Sequence, residues 1–211
     1  MTHSINHHIP AEILDSYQSG GLSPIFEVVI AAHISLCADC RAHIEANSAL
    51  AGALIEVSAP SPIRANLFAS ILDEISKDAP IRPVPTDTIY SHAVKKLFKN
   101  SEPKWSFIGP GVHQSILMKD KNESVRLLKV AAGKPVSMHT HKGVEYTLVL
   151  QGSFSDEIDQ FKRGDVEVAD QNIEHQPIAD VGLDCICLAY TSDNLKFSSI
   201  APELLRPFIG M

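Results

Sequence analysis

Histidine and cysteine side chains lie close together near the front of the chain. His33, Cys37 and Cys40 follow one another at steps of four and three residues. On a helix these steps place side chains on one face. Imidazole and thiolate groups are the ligands that Zn²⁺ prefers, and a tetrahedral site needs a fourth ligand. His7 or His8, just ahead of the first predicted helix, can supply it.

Two other interpretations of this first cluster stay open. The cysteines can be buried helix residues beside an incidental histidine, or they can form a redox Cys-x-x-Cys pair. Redox pairs of this kind usually follow a β-strand, whereas the segment before Cys37 has a helical pattern. A further histidine, His43, lies one turn beyond Cys40 and is a weaker ligand candidate.

A second set of metal-binding residue types lies in the later part of the chain. His139 and His141 alternate along a predicted strand and therefore project to the same side. Glu145 follows in the next turn or strand, and His175 lies in a later block that begins at Gly164. Three imidazoles and one carboxylate suit Zn²⁺, Fe²⁺, Mn²⁺, Ni²⁺ or Cu²⁺, so the ligand types do not select the metal. The alternative is a set of surface histidines without a metal.

The two clusters lie in regions of different pattern. Residues 1–78 carry apolar residues at helical spacings, whereas the later region has short β-branched runs separated by turn residues. Three prolines between positions 80 and 85 exclude a helix or a central strand there. We therefore predict a two-domain α+β protein: an all-α domain over 1–78, a proline-rich linker over 79–88 and an all-β domain over 89–211.

The front region contains four predicted helices. Ser23 is a candidate N-cap for the second helix, with Pro24 at the first helical position. The third helix covers about 38–57 and follows the cysteines. Its predicted packing positions are Ile44, Leu50, Leu54 and Val57. The fourth segment, 61–77, has an apolar stripe that either packs on its own domain or lies in the groove of a partner.

Charge and hydropathy exclude several classes of protein. Residues 1–78 hold nine acidic and three basic residues, a net of −6 out of −7 for the whole chain. A region this acidic does not hold phosphate backbones, so we expect no direct nucleic-acid binding. The charge could instead face a basic protein, or serve solubility alone. No apolar run approaches the roughly 18 residues of a membrane span, and the N-terminus lacks a signal-peptide pattern, so we expect a cytoplasmic protein.

Cys185 and Cys187 form a second close cysteine pair, on one face of a predicted strand. The first interpretation is that both are apolar strand residues, and the alternative is an oxidisable thiol pair near the second cluster. The sequence offers no obvious nucleophile or base beside the second cluster. We therefore expect a sensing role there and no enzyme activity.

Both regions resemble known families. His33, Cys37 and Cys40, with an earlier histidine, resemble the zinc anti-sigma domain, which keeps extracytoplasmic-function sigma factors from RNA polymerase. The later region resembles the cupins, all-β domains with a double-stranded β-helix or jelly-roll barrel. The fixed positions of the first cupin motif are occupied by Gly133, His139, His141, Glu145 and Gly152. The whole chain is similar to the ChrR-type anti-sigma factors, which join both domains, and the similarity includes segments 148–152 and 182–188.

The resemblance implies a set of ligands for each metal. In the first site the implied zinc ligands are His8, His33, Cys37 and Cys40. In the cupin site, where the resemblance favours zinc, they are His139, His141, Glu145 and His175. The second cupin motif departs from the usual pattern at Asp170, Asn172 and Ala179, which leaves His175 less firmly placed than the other three.

The resemblance also implies a function. It suggests an anti-sigma factor whose zinc-bound helical domain sequesters an extracytoplasmic-function sigma factor. An oxidative signal, of the singlet-oxygen or organic-hydroperoxide type, would act at the cupin domain and release the sigma factor. One alternative is a metal-dependent cupin enzyme, a dioxygenase or isomerase, with a helical accessory domain. Another is a metal-responsive binding module for a different protein.

Overall fold

The computed structural model describes residues 4–77, 89–98, 102–192 and 195–197. Helices come first and strands follow, as the sequence predicts. The helices are α1 (Ala11–Gln18), α2 (Pro24–Leu36), α3 (Ala38–Glu56), α4 (Leu67–Lys77) and α5 (His92–Leu97). The strands are β1 (Ser106–Gly109), β2 (Val112–Lys119), β3 (Ser124–Val130), β4 (His139–His141), β5 (Glu145–Gln151), β6 (Ser153–Ser155), β7 (Gln160–Lys162), β8 (Val166–Ala169), β9 (Glu174–His175), β10 (Ile178–Ala179), β11 (Cys185–Thr191) and β12 (Leu195–Phe197). The predicted linker 79–88 lies outside the described residues.

Local signals in the sequence set the ends of α2. The side chain of Ser23 accepts a hydrogen bond from the backbone N–H of Phe26 at 3.2 Å, and Pro24 opens the helix. Both features confirm the predicted cap. At the other end Cys37 adopts an extended conformation, with φ −94° and ψ 115°. Cys37 is therefore the C-cap of α2 and the N-cap of α3, and the chain changes direction at this single residue.

Strand pairing within the described residues defines three antiparallel sheets. The largest has the order β1-β2-β3-β11-β5-β8, and two smaller sheets have the orders β10-β6-β7 and β12-β4-β9. β11 is flanked by β3 and β5 and is buried along its whole length. The runs that the sequence predicts as strands, at 105–108, 115–118, 125–130, 146–150, 165–168 and 183–190, overlap β1, β2, β3, β5, β8 and β11. The short helix α5 was not predicted, although its Val94 is fully buried.

The large sheet is buried on both faces. Alternate residues of its central strands, such as Leu148 and Leu188, share a hydrophobic core with Val29 and Ile30 of α2. The aromatic ring of Phe26 stacks on Tyr190 of β11, with ring centroids 4.3 Å apart. The opposite face packs in a second cluster that includes Val112, Val149 and Phe161. The front helices are therefore held against the sheet through a continuous core.

Three of the four predicted packing positions of α3 are wrong. Ile44 packs against the core, but Leu50, Leu54 and Val57 are 64%, 62% and 82% exposed. The reason is geometric, because α1 is short and covers only the first part of α3. The side chain of Gln18, at the end of α1, donates to Ile44 O and Ser48 Oγ at 2.9 and 2.8 Å.

The helix α4 also carries its apolar stripe on the outside. Phe68, Ile71, Leu72 and Ile75 are exposed, so the stripe does not pack on its own domain. Nine large apolar side chains between positions 50 and 75 are exposed, and we call them together the apolar surface. They are Leu50, Leu54, Ile55, Val57, Ile63, Phe68, Ile71, Leu72 and Ile75. No described helix is both long enough and apolar enough to cross a membrane.

The core between α2 and the sheet predicts the stability of two phenylalanine variants. We expect Phe26→Ala to lower the free energy of unfolding by about 3–5 kcal/mol, because it leaves a cavity against the rings of Tyr146 and Tyr190. Phe68→Ala is the matched control, since Phe68 is 71% exposed, and we expect a change within about 0.5 kcal/mol. Denaturant unfolding measures both. A Phe26→Ala protein as stable as the control would show that α2 is not held by this core.

Candidate metal centres

Three elements bring the first cluster together. His8 precedes α1, His33 lies in the last turn of α2, and Cys37 and Cys40 lie at the start of α3. One potential ligand atom from each lies within 4.8 Å of the other three. His8 Nδ1 is 3.2 Å from Cys37 Sγ and 3.7 Å from Cys40 Sγ, and His33 Nε2 is 3.2 Å from Cys40 Sγ. We call this group the cysteine centre.

The structure places the two competing histidines elsewhere. His7 Nε2 lies 3.2 Å from a carboxylate oxygen of Asp159, and the His7 ring packs on Phe161 at 4.5 Å. His43 Nε2 lies 2.8 Å from a carboxylate oxygen of Asp15. His8 is therefore the histidine that faces the two sulfurs. It is also the only exposed member of the cysteine centre, as the other three are buried.

Burial in the cysteine centre shifts the pKa values of His33 and Cys40. Burial lowers the pKa of His33 to about 4, so its ring is neutral near pH 7. The Nδ1 of His33 lies 3.0 Å from the carbonyl oxygen of Gly164 and donates to it, which leaves Nε2 free to coordinate. Burial, followed by the neighbouring Cys37, raises the pKa of Cys40 to about 11. A bound Zn²⁺ would supply the positive charge that favours the thiolate form of Cys40.

The second group forms where β4 pairs with β9. His139 lies opposite His175 in this pairing, and the two Nε2 atoms are 3.2 Å apart. The Nε2 atom of His141 lies 3.3 Å from that of His175. All three side chains are buried and their ligand atoms lie within 4.8 Å of one another. We call this group the histidine centre.

Hydrogen bonds to residues around the histidine centre orient its imidazole rings. His139 Nδ1 donates to the carbonyl oxygen of Ser137 at 2.8 Å. His175 Nδ1 lies 2.8 Å from Glu167 Oε1 and 3.1 Å from Asp156 Oδ2. A proton on each Nδ1 leaves the Nε2 lone pair free, and carboxylate partners of this kind are common behind metal-bound histidines. Burial lowers the pKa of His139 and of His141, which also favours neutral rings. These features fit a divalent cation.

Glu145, the predicted fourth ligand, lies beside the histidine centre. Its carboxylate is buried, with Oε2 3.8 Å from His141 Nδ1 and Oε1 accepting from Thr147 Oγ1 at 2.9 Å. It faces the Nδ1 side of His141, whereas Nε2 faces the other two rings. The structure brings the three histidines together, and coordination by Glu145 stays a prediction.

Two carboxylates at this site were missed from the sequence. Asp156 and Glu167 both contact His175, and the three residues form a further group of close ligand atoms. Burial raises the pKa of Glu167 to about 8. Burial by itself would lower the pKa of His175, but the hydrogen bonds to Glu167 and Asp156 and the nearby carboxylate charges together outweigh it and raise the pKa to about 9. The alternation of β8 could have marked Glu167 as inward-facing, but no local signal marks Asp156.

The second cysteine pair is buried in the sheet core. Cys185 Sγ and Cys187 Sγ lie 3.5 Å apart, within the apolar cluster that includes Val112 and Val149. The hydrogen bond with Cys185, together with burial, raises the pKa of Cys187. A protonated, buried thiol is a poor nucleophile, so the geometry agrees with the interpretation as apolar strand residues.

Comparison with known proteins identifies the family. Residues 94–193 match the family model described as the ChrR cupin-like domain. The chain is also 40% identical over 210 residues to the anti-sigma-E factor ChrR of Cereibacter sphaeroides, covering 97% of this chain and 98% of that protein. The chain belongs to the ChrR family of anti-sigma factors. The predicted resemblance and the predicted cupin fold class are thereby confirmed.

A solved structure agrees with this membership of the ChrR family. The chain is similar to ChrR in the crystal structure of Rhodobacter sphaeroides SigE in complex with that anti-sigma factor. The TM-score is 0.72 at 40% identity, covering 89% of this chain and 99% of the other. The relative is an anti-sigma factor by name and not an enzyme, in agreement with the class that the sequence predicted.

The two centres predict separable losses of metal. We expect Cys40→Ala to remove the metal of the cysteine centre and His139→Ala to remove that of the histidine centre, because each variant deletes one converging ligand atom. His43→Ala, which alters a histidine outside both centres, should keep both metals. Elemental analysis of the purified proteins measures the content. Full metal in the Cys40→Ala protein would contradict the assignment of the cysteine centre.

Proposed function

We propose that this ChrR-family protein is a zinc-dependent anti-sigma factor. Its helical region would bind a sigma factor of the extracytoplasmic-function group and withhold it from RNA polymerase. The observation that carries the proposal is the 40% identity to ChrR over nearly the whole of both chains. A cytoplasmic location is part of the proposal, because an anti-sigma factor must meet its partner where the polymerase is.

The apolar surface supports a protein partner. On α4, Phe68, Ile71, Leu72 and Ile75 recur at the spacing of one helical face, and all four are exposed. A contiguous exposed apolar patch of this kind marks a binding surface more often than a solvated one. An amphipathic helix presented in this way suits insertion into a groove between the helices of another protein.

The negative charge of the helical region would orient a partner at this contact. The same helix carries Asp73 and Glu74 beside its apolar residues, and residues 1–78 have a net charge of −6 from nine acidic and three basic residues. Complementary charge steers association and fixes orientation more than it adds affinity. We therefore propose that the sigma-factor surface facing α4 is apolar at its centre and basic around the edge.

Zinc in the cysteine centre would act as a structural cross-link. The centre joins the N-terminal segment, α2 and the start of α3 at one point. Because α3 carries Leu50, Leu54 and Ile55 of the apolar surface, a cross-link at the start of α3 would fix the direction in which these side chains are presented. The residues of this chain supply two imidazoles and two thiols, and the bound metal would supply the positive charge that holds them together.

The cupin domain would receive the signal that ends binding. The buried histidine centre supplies metal-responsive chemistry, which supports a sensing role. We propose an oxidative signal of the singlet-oxygen or organic-hydroperoxide type, as the family resemblance implies. Zinc is proposed for the histidine centre as well, with other divalent metals compatible with its ligands.

Substitution in α4 tests the binding surface. We expect Leu72→Asp to weaken binding of the cognate extracytoplasmic-function sigma factor by at least about 2 kcal/mol, or roughly 30-fold, because a buried charge replaces an apolar contact. Leu183→Asp is the matched control, as it changes another exposed leucine on the cupin domain. Calorimetry with the purified sigma factor measures both. Equal affinity of the two variants for the sigma factor would show that the apolar surface does not contact it.

Removal of zinc tests the cross-link. We expect Cys37→Ala to abolish sigma-factor binding, because the free energy of metal binding is also free energy of folding in such a site. Cys185→Ala, a buried cysteine outside both centres, should bind normally before any oxidant is added. Co-purification with the sigma factor provides the measurement. A zinc-free Cys37→Ala protein that still binds at full strength would refute the role of zinc.

A further inference from the structure

One short segment of the chain touches both metal centres. Residues 164–167 comprise the turn before β8 and its first two positions. The carbonyl oxygen of Gly164 accepts from Nδ1 of His33 at 3.0 Å, in the cysteine centre. Three residues later, Glu167 Oε1 accepts from Nδ1 of His175 at 2.8 Å, in the histidine centre. One four-residue segment thus contacts a histidine of each centre, through a backbone carbonyl at Gly164 and through a side chain at Glu167.

Between these two contacts, Asp165 fixes the segment that leads into His8. Its Oδ1 accepts from the backbone N–H groups of Asn6 and His7 at 2.7 and 3.1 Å. Its Oδ2 accepts from the backbone N–H of Lys162 at 2.8 Å, and the side chain is buried. Hydrogen bonds from N–H groups to an ionised carboxylate are among the stronger ones in proteins. Asp165 therefore positions the backbone next to His8.

Close packing holds the N-terminal segment on this turn. Gly164 has φ +97°, and a Cβ built on it would lie 2.5 Å from Cδ1 of Ile5. The positive φ favours glycine at this position, and a larger residue would force the Ile5 side chain to move. The backbone N–H of Val166 also donates to His7 O at 3.1 Å, which extends the contact by one more residue.

The segment is also tied to the large sheet. Gly164 N donates to Val149 O at 2.9 Å, and Val149 N donates to Asp165 O at 3.1 Å. Glu167 lies opposite Thr147 of β5. A buried segment that is hydrogen-bonded on both sides cannot shift at one end without disturbing the other, because close-packed interiors transmit displacement.

We propose that residues 164–167 form a shared positioning segment for both centres. Gly164 and Asp165 position His33 and His8, and Glu167 positions His175. Metal binding at either centre therefore changes the metal affinity of the other, and by linkage the effect is reciprocal. This inference rests on the two metal centres of the proposed function and not on sigma-factor binding. It gives a signal at the cupin domain a direct route to the helices.

The first experiment measures coupling in the full chain. Co²⁺ serves as the probe, because its thiolate charge-transfer absorption reports the cysteine centre, and a Cys37→Ser protein provides the blank. The affinity of this centre is compared between the wild type and a His139→Ala/His141→Ala protein, whose histidine centre is disabled. We expect the affinity to be at least about 5-fold weaker in the disabled protein.

The second experiment tests whether residues 164–167 carry the coupling. In an Asp165→Asn background, disabling the histidine centre should no longer change the Co²⁺ affinity of the cysteine centre. Glu167→Gln should weaken the histidine centre by about 10–100-fold and also weaken the cysteine centre, which Glu167 does not touch. Glu174→Gln is the matched control, since Glu174 adjoins His175 but is exposed, and neither affinity should change. Circular dichroism verifies that each variant is folded.

The outcomes separate this inference from the proposed function. If both centres bind metal and the cysteine centre has the same affinity with the histidine centre intact or disabled, the inference is overturned and the proposed function stands. It is likewise overturned if coupling persists unchanged in the Asp165→Asn protein. If elemental analysis of the wild type shows fewer than two metal ions per chain, the inference and the zinc assignments of the proposed function fail together.

Discussion

The burial of α2 against the large sheet is the interaction on which the other features depend. Phe26 stacks on Tyr190, and Val29 and Ile30 are completely buried in the core that the helix shares with the sheet. Because the same helix carries His33 in its last turn, this packing also brings the cysteine centre to the turn before β8. Hydrophobic packing is not directional, but here the packing of α2 fixes the position of the cysteine centre, whose metal-ligand bonds are directional.

The helical region consists of a part that is packed in the core and a part whose apolar side chains are exposed. The first turns of α3 are covered by α1 and α2, whereas its second half and α4 extend beyond them with their apolar residues exposed. Burying those residues would add stability, so their exposure in a ChrR-family protein is explained best by a partner that covers them. The acidic residues Asp73 and Glu74 on α4 support the proposed basic edge on the partner's surface.

Buried carboxyl groups are concentrated at the cupin end of the molecule. Glu145, Glu167 and Asp165 are almost inaccessible to solvent, and each is compensated by hydrogen bonds or by nearby imidazoles. Ionisable groups in such surroundings respond strongly to the addition or loss of a neighbouring cation, because the local dielectric is low. The cupin domain is therefore suited to convert a chemical change at its centre into a change of structure.

Local sequence alone determined the features that depend on a few neighbouring residues. The Ser23-Pro24 cap, the alternation at His139 and His141, and the spacing from His33 to Cys40 are local because helix caps and side-chain periodicity act within a few residues. Only tertiary structure decided that His8 and not His7 faces the sulfurs, that the end of α3 is uncovered, and that Glu167 supports His175. Those outcomes depend on distant segments packing together, and no spacing along the chain encodes them.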